Sequence, residues 1–267
     1  GGVMLEPNSV YPFLILLVVP AGLYFKLGWG AISIVRRACV TIGIMVCAIN
    51  LVVTINNLSD ISSLRISMRL MYSPLALGIV MSYLFSLIEP IERKDLKISY
   101  LELIGLLILA VIAILGALAY VSAQISGMSL FSFYEKSSSF IAILVVSICF
   151  SHPKFRNDRF LERLSKSSLA VVLIFVISGV STYTFASSID NLAAIGSFIS
   201  DSTVGILYGS IIALFTIVAG GQAKQSRQET ILFDWHLVEA YAFYALIIFP
   251  PLSVIEYASL VLGGGAT

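Results

Sequence analysis

Apolar runs near membrane-spanning length recur along the whole chain, and they limit its possible folds more than any other feature. They fall at 11–27, 39–55, 70–88, 101–123, 140–150 with flanking residues, 169–186, 204–219 and 238–262. A hydrocarbon core about 30 Å thick is crossed by about 20 mostly apolar residues in helical form, so these runs predict roughly eight helices, several of them short. The composition agrees: 58% of residues are hydrophobic and 12% charged, where soluble domains carry about a quarter charged. The expectation is an all-α, polytopic membrane bundle. Its last run contains Pro250 and Pro251, which lack backbone donors and are expected to break it into two half-helices.

The placement of lysine and arginine gives the orientation. Lys26, Arg36, Arg37, Arg93, Lys94, Lys97, Lys154, Arg156, Arg159, Arg163, Lys166, Lys224 and Arg227 all fall in one set of connections. Of the 16 basic residues, Arg65, Arg69 and Lys136 remain for the alternate set. The basic connections are therefore expected on the cytoplasmic side, and the Asp60, Glu135 and Asp190 loops on the other. The formal net charge of +1 conceals this asymmetry and gives no reason to expect a nucleic-acid partner. A basic region ahead of a short apolar run is not visible at the start of the chain.

The apolar pattern also repeats. FLILLVVP at 13–20 returns as FIAILVVS at 140–147, and 60–78 aligns with 191–209 at a constant displacement, so that Gly78 falls on Gly209. A register held through a polar turn is a stronger sign of duplication than shared hydrophobicity, because any two membrane helices resemble each other in composition. Three regions follow: a first membrane repeat at 1–98, a second at 99–223 and a C-terminal segment at 224–267. The second repeat has an additional helix at 101–123 ahead of its FIAILVVS segment, and the first is read as lacking its equivalent. Both repeats place their basic connections on one side, so they are expected to be parallel, related by rotation about the membrane normal.

Catalytic signatures are not found: the sequence has no Gly-rich phosphate loop with lysine, no HExxH, no CxxC and no GxSxG. An enzyme is not expected, nor a cofactor or metal. His152 and His236 sit beside expected cytoplasmic helix ends, which suits interfacial histidines. Cys39 and Cys47 are about 12 Å apart along one helix and cannot pair without breaking it; with Cys149 they read as small buried hydrophobes.

What remains is the chemistry of polar groups at membrane depth, which are costly there unless they face protein or water. Asn50 and Thr54 share a helix face at i and i+4. Ser178, Ser181 and Thr182 lie in the corresponding helix of the second repeat, and Ser73, Ser202, Thr203 and Tyr208 in the helix that follows in each. These are the candidate residues of an ion path, against the plainer reading that serine and threonine bond back to their own helix carbonyls. Gly205 and Gly209 form a GxxxG pair, with Gly78 as the repeat equivalent of Gly209, and suit close helix contact.

The repeated segments, NNLSDISSLRISMRLMYSPLALG at 56–78 and IDNLAAIGSFISDSTVGILYG at 189–209, resemble the third and fourth membrane helices of the MotA/TolQ/ExbB proton-channel family. The second matches more fully, through Asn191, Ile195, Gly196, Ser202, Thr203, Leu207, Tyr208 and Gly209. The hairpin ILGALAYVSAQISGMSLFSFYEKSSSFIAILVV at 114–146 is similar to the family's first two helices, and GGVMLEP to the end of a first helix. The chain departs from the pattern in three places. The large cytoplasmic domain is reduced to the short connections 27–37 and 152–169; Arg65 and Arg69 replace small residues; Pro74 and Leu75, and in the second repeat Gly205 and Ile206, stand where the family places a hydroxyl pair.

The resemblance implies a multi-pass subunit of the bacterial inner membrane, driven by an ion gradient and part of an oligomeric complex. In that plan the helices surround a single-span partner of the ExbD/TolR/MotB type whose aspartate is essential. The family's rings hold five copies, a count that two-repeat chains using both repeats equally do not reach. Two other readings stand beside it: a secondary transporter built from parallel repeats with its site at their interface, and a non-conducting scaffold subunit of a larger membrane complex.

Arg69 and Asp201 occupy nearly equivalent places in the two repeats, where a charge is tolerated only at the interface, in a water-filled vestibule or in a pair. If they pair across the repeats, Arg69→Ala and Asp201→Ala each destabilise the protein and the double change costs clearly less than the two effects added. Thermal unfolding of the four proteins checks this, and strict additivity would leave two solvated interfacial charges.

Overall fold

The computed structural model describes residues 7–56, 61–88, 99–124, 128–134, 136–151 and 192–220. Every regular element among them is helical: α1 (Pro7–Leu16), α2 (Val18–Leu27), α3 (Ile32–Asn56), α4 (Ile61–Leu87), α5 (Tyr100–Ala123), α6 (Lys136–Ser151) and α7 (Leu192–Gly220), with single 3₁₀ turns at Gly28–Ala31 and Leu130–Phe133. Six of the expected runs coincide with these helices. The other two, 169–186 and 238–262, lie outside the described residues.

The first expected helix is divided at Leu17, and Pro20 explains where. Proline at 20 has no N–H for the Leu16 carbonyl, and its ring crowds that carbonyl, so the helix loosens at the Leu16–Leu17 step. The backbone bonds Leu17 N–H to Phe13 and Ala21 N–H to Leu17, each 3.0 Å, bridge the break. Thus α1 and α2 form a single jointed rod. It ends at Gly28, whose N–H caps the Tyr24 carbonyl with φ 63° and ψ −149°. That conformation is nearly restricted to glycine. An added Cβ at Gly28 would meet nothing within 4 Å, so the requirement is one of backbone angle and not of space.

Past this turn the chain reverses. α3 touches both α2 and α1, which requires it to fold back along the rod. α4 then folds back against α3, with the two backbones nearly touching. A Cβ built on Gly78 would stand 2.6 Å from the Cys39 carbonyl oxygen and 3.2 Å from the Gly43 Cα; one on Gly43 would stand 2.9 Å from the Pro74 carbonyl oxygen. As the α3 position rises from 39 to 43, the α4 position falls from 78 to 74, so the pair is antiparallel. On its other sides α3 meets α7, and α7 also carries α6.

α5 lies antiparallel along the rod for its full length. Tyr11 stacks on Tyr120 with ring centroids 5.7 Å apart, Gly116 faces Ile15, Gly22 faces Leu109 and Leu106, and Lys26 Nζ donates to Glu102 Oε1 at 2.9 Å. Each contact keeps the same register. α5 starts with a capping box: Ser99 Oγ accepts the Glu102 N–H at 3.3 Å while Glu102 Oε2 accepts the Ser99 N–H at 3.1 Å. Between the ion pair and the tyrosine pair the helix is about 27 Å long.

Arg36 and Arg37 lie inside α3 and not in a connection, because the turn is completed within Gly28–Ala31. Arg65 and Arg69 likewise lie inside α4, and Lys136 opens α6; the polar stretches after Asp60 and Asn191 form the first helical turns, since nothing in them removes a backbone donor.

The α3–α4 crossing gives a sharp test. Gly78→Ala forces a methyl group against backbone that cannot rotate away, and should cost about 1–3 kcal/mol, the usual range for overpacking. Gly105→Ala, where nothing lies within 4 Å, should be neutral or slightly stabilising. Melting temperatures of the two variants in one detergent decide it; equal values would mean that the backbones are further apart than described.

Candidate functional site

The residues from Ala38 to Val52 of α3 are all buried, so this helix has no solvent-facing side over four turns. A polar group placed there must be satisfied by protein, since an unpaired one costs about 1–3 kcal/mol. α3 nevertheless carries Ser33, Thr41 and Asn50 as buried polar residues, and α4 adds Ser82, α6 adds Ser138 and Ser139, and α7 adds Thr203, Ser210 and Thr216. The concentration of such groups on and around α3 makes it the candidate functional centre.

Several of these hydroxyls are satisfied locally. Thr41 donates to the Arg37 carbonyl at 3.1 Å, Ser139 to Lys136 at 3.0 Å, Ser210 to Leu207 at 2.8 Å and Thr216 to Ala213 at 2.9 Å. Each bond lies within one helix and commits the hydroxyl's donor there. Asn50 differs in kind. A carboxamide has two donors and an acceptor with two lone pairs, more than one helix carbonyl can use. The Asn50 side chain is buried, and it is engaged by other groups of the protein, as are Ser73, Thr203 and Tyr208.

The helix arrangement brings the candidates partly together. Asn50 and Thr54 lie on α3, Ser73 on α4, and Ser202, Thr203 and Tyr208 on α7, and α3 is the neighbour of both other helices. Ser73 adjoins Pro74 at the Gly43 crossing, which puts it roughly one to two turns of α3 away from Asn50. Thr203 is fully buried. Tyr208 is half-buried and packs beside Ala142 and Ile212, at the α6–α7 contact. The side chains of Thr54, Arg69, Asp201 and Ser202 lie outside the described set although their backbones are helical, and Ser178, Ser181 and Thr182 lie outside the described residues altogether. Gly78 is at the α3–α4 crossing, while Gly205 and Gly209 are buried within α7.

Gly43 is the residue that the sequence reading missed. Its signal was present: Cys39, Gly43 and Cys47 recur at four-residue spacing, a small-residue face that permits close approach of a second helix. Cys39 and Cys47 are free and buried, and Cys39 packs with Ala31 and Val35 against Met81 and Phe85. Glu102, the carboxylate whose side chain is described, is partly exposed, and among the described residues no three His, Cys, Asp or Glu side chains gather in a metal-binding group. Comparison with family profiles, curated proteins and solved structures finds no match to this chain.

The contrast between Asn50 and the self-bonded hydroxyls is measurable. Asn50→Leu strands whatever groups the amide engages and should cost about 1–3 kcal/mol, whereas Ser210→Ala and Thr216→Val should change stability by well under about 1 kcal/mol. Unfolding followed by circular dichroism in one detergent compares them. A similar small effect for all three would remove Asn50 from the centre of the site.

Proposed function

We propose that the chain is a multi-pass subunit of an ion-motive-force-driven complex in a bacterial inner membrane, similar to the MotA/TolQ/ExbB subunits. The membrane part of this reading rests on α5. The stretches Val10–Val53 and Leu101–Ala123 are both long and apolar enough to cross a bilayer, yet 89% of the first is buried at its most apolar part and 33% of the second. Leu101, Ile108, Ile112 and Leu115 of α5 are more than half exposed, as are Tyr83 and Leu87 of α4 and Phe140 and Ile143 of α6. A helix apolar on every side, with its outer side uncovered, matches lipid and not water as its surroundings.

The energiser part rests on the polarity within α3 and its neighbours. The amide and hydroxyl groups buried there suit a proton- or ion-carrying acid brought into the membrane by another chain. A single-span helix with a membrane aspartate supplies it. Two further observations support the duplicated plan: α4 and α7 begin at Ile61 and Leu192, separated by the same interval as Gly78 and Gly209, and both pack on α3.

The locally bonded hydroxyls of Thr41, Ser210 and Thr216, with the close Gly43–Gly78 crossing, favour a second reading, a non-conducting scaffold subunit. Affinity purification from native membranes, followed by identification of the accompanying chains, separates the readings. A stoichiometric single-span partner is expected, and neutralising its membrane aspartate should abolish gradient-driven activity of the complex. Asn50→Ala should then lower that activity in a correctly assembled complex; full activity there favours the scaffold, and uptake of a substrate by this chain alone overturns both readings in favour of a transporter.

A further inference from the structure

The turn between α2 and α3 holds an aromatic ledge that the α3-centred site does not use. Tyr24 is half-buried against the Ala31–Val35–Cys39 cluster and carries two rings on its edges: Trp29 at 6.0 Å and 82°, and Phe25 at 6.5 Å and 66°. Both outer rings are open, Phe25 86% and Trp29 59% exposed. Tyr24 is thus anchored while Phe25 and Trp29 point away from the protein, and the Gly28 backbone fixes the turn between them. Rings of this kind suit the boundary between headgroups and acyl chains, where one side is apolar and the other wet.

Cations adjoin the ledge. Lys26 follows Phe25 in the chain; its Nζ donates one of its N–H groups to Glu102 and its side chain is 56% exposed, leaving donors directed to the surroundings. Arg36 and Arg37 follow within the first turns of α3 and are partly exposed, already engaged by protein groups. Among the described residues, the carboxylate that stands against these three cations is that of Glu102. At the opposite end of the same helix pair, about 27 Å away, Tyr11 and Tyr120 meet with no charged residue between them.

We infer that the α2–α3 turn binds the phosphate headgroup of an anionic phospholipid, with Lys26 and Arg36 holding the phosphate and Phe25 and Trp29 seated at the top of the acyl chains. This rests on the membrane reading above. A free phosphate offers the same anion but nothing for the rings, so the lipid is the occupant that uses both parts of the surface. Among the described residues of this turn the cations outnumber the carboxylates, and that excess favours an anionic headgroup over a zwitterionic one.

The test uses the full chain with Trp235→Phe, which leaves Trp29 as the reporting indole, reconstituted into phosphatidylcholine vesicles. A fixed fraction of either brominated phosphatidylglycerol or brominated phosphatidylcholine is added and Trp29 quenching is read. Stronger quenching by the phosphatidylglycerol is expected. Lys26→Gln should reduce the preference by about fivefold, the effect of one cation near an anionic surface. Glu102→Gln keeps a side chain able to complete the capping box and should raise it. Equal quenching by the two lipids overturns this proposal and leaves the membrane reading standing; no quenching by either overturns both. Loss of the preference on adding inorganic phosphate would make the site one for the free anion and overturn the lipid assignment. The unsubstituted chain gives an independent reading: phospholipid co-purified after detergent extraction should be enriched in the anionic class, less so with Lys26→Gln, and bulk composition in both would overturn the proposal.

Discussion

The close approach of α3 and α4 at Gly43 and Gly78 is the contact on which the rest of the arrangement depends. Without a hydrophobic driving force between helices in lipid, association relies on van der Waals packing, and packing energy falls steeply with a gap of even half an ångström. Two glycines facing each other let the backbones meet, so that the Cys39 carbonyl lies where a Cβ of residue 78 would otherwise stand. That proximity holds the neighbouring larger side chains, Met45, Ile49 and Leu75 among them, in full contact. It also leaves α3 covered on the α4 side, so that its opposite faces are free to receive α7 and the α1–α2 rod.

The rod and α5 make a second, looser pair. Here the contacts are side chain on backbone and ring on ring, as at Gly22 with Leu109 and Tyr11 with Tyr120, and the outer face of α5 stays uncovered. The joint at Leu17 belongs to the same economy. Pro20 removes a hydrogen bond, and a helix of ordinary length in water would lose about 3 kcal/mol or more for it; the flanking bonds from Leu17 and Ala21 keep the rod continuous, and burial of Val19, Pro20 and Leu23 holds the joint against its neighbours. The pair is bounded by an ion pair at one end and aromatic rings at the other, the chemistry expected where a helix leaves an apolar layer about 30 Å thick.

Helix positions were legible in the sequence because the apolar runs are long and uninterrupted, and six of them coincide with described helices. The ends were not. Ile32 to Ala38 reads as a basic connection when Arg36 and Arg37 are counted as loop charges, yet helix geometry tolerates arginine near its end, where the long side chain reaches outward. The residues after Asp60 read as a polar turn for a similar reason. Helix pairing was still less legible: Gly78 was identifiable as a packing glycine, and its partner Gly43 shares a small-residue face with Cys39 and Cys47, but only the three-dimensional crossing shows which helix that face receives. The register of α5 against the rod has no local signal at all. Of the polar candidates, Asn50, Thr203 and Tyr208 were legible as unusual residues in apolar helices, whereas which hydroxyls bond to their own backbone, as Ser210 and Thr216 do, depends on rotamers that sequence does not record.

The polar residues can be ranked by what their own helices are able to do for them. A serine or threonine needs one acceptor, which the carbonyl one turn earlier provides, so such residues can accumulate in buried helices at little cost and signify little. A carboxamide, with two donors and an acceptor, exceeds what one carbonyl supplies, and Asn50 is engaged by groups of the protein within a stretch of α3 that is buried on every side. A carboxylate would be costlier still. From Ala38 to Val52 the buried stretch of α3 thus has polar groups without a fixed charge. Such a stretch costs little to assemble and has the capacity to solvate a charged or protonated group that arrives from outside, the physical property on which the proposed work with a partner depends.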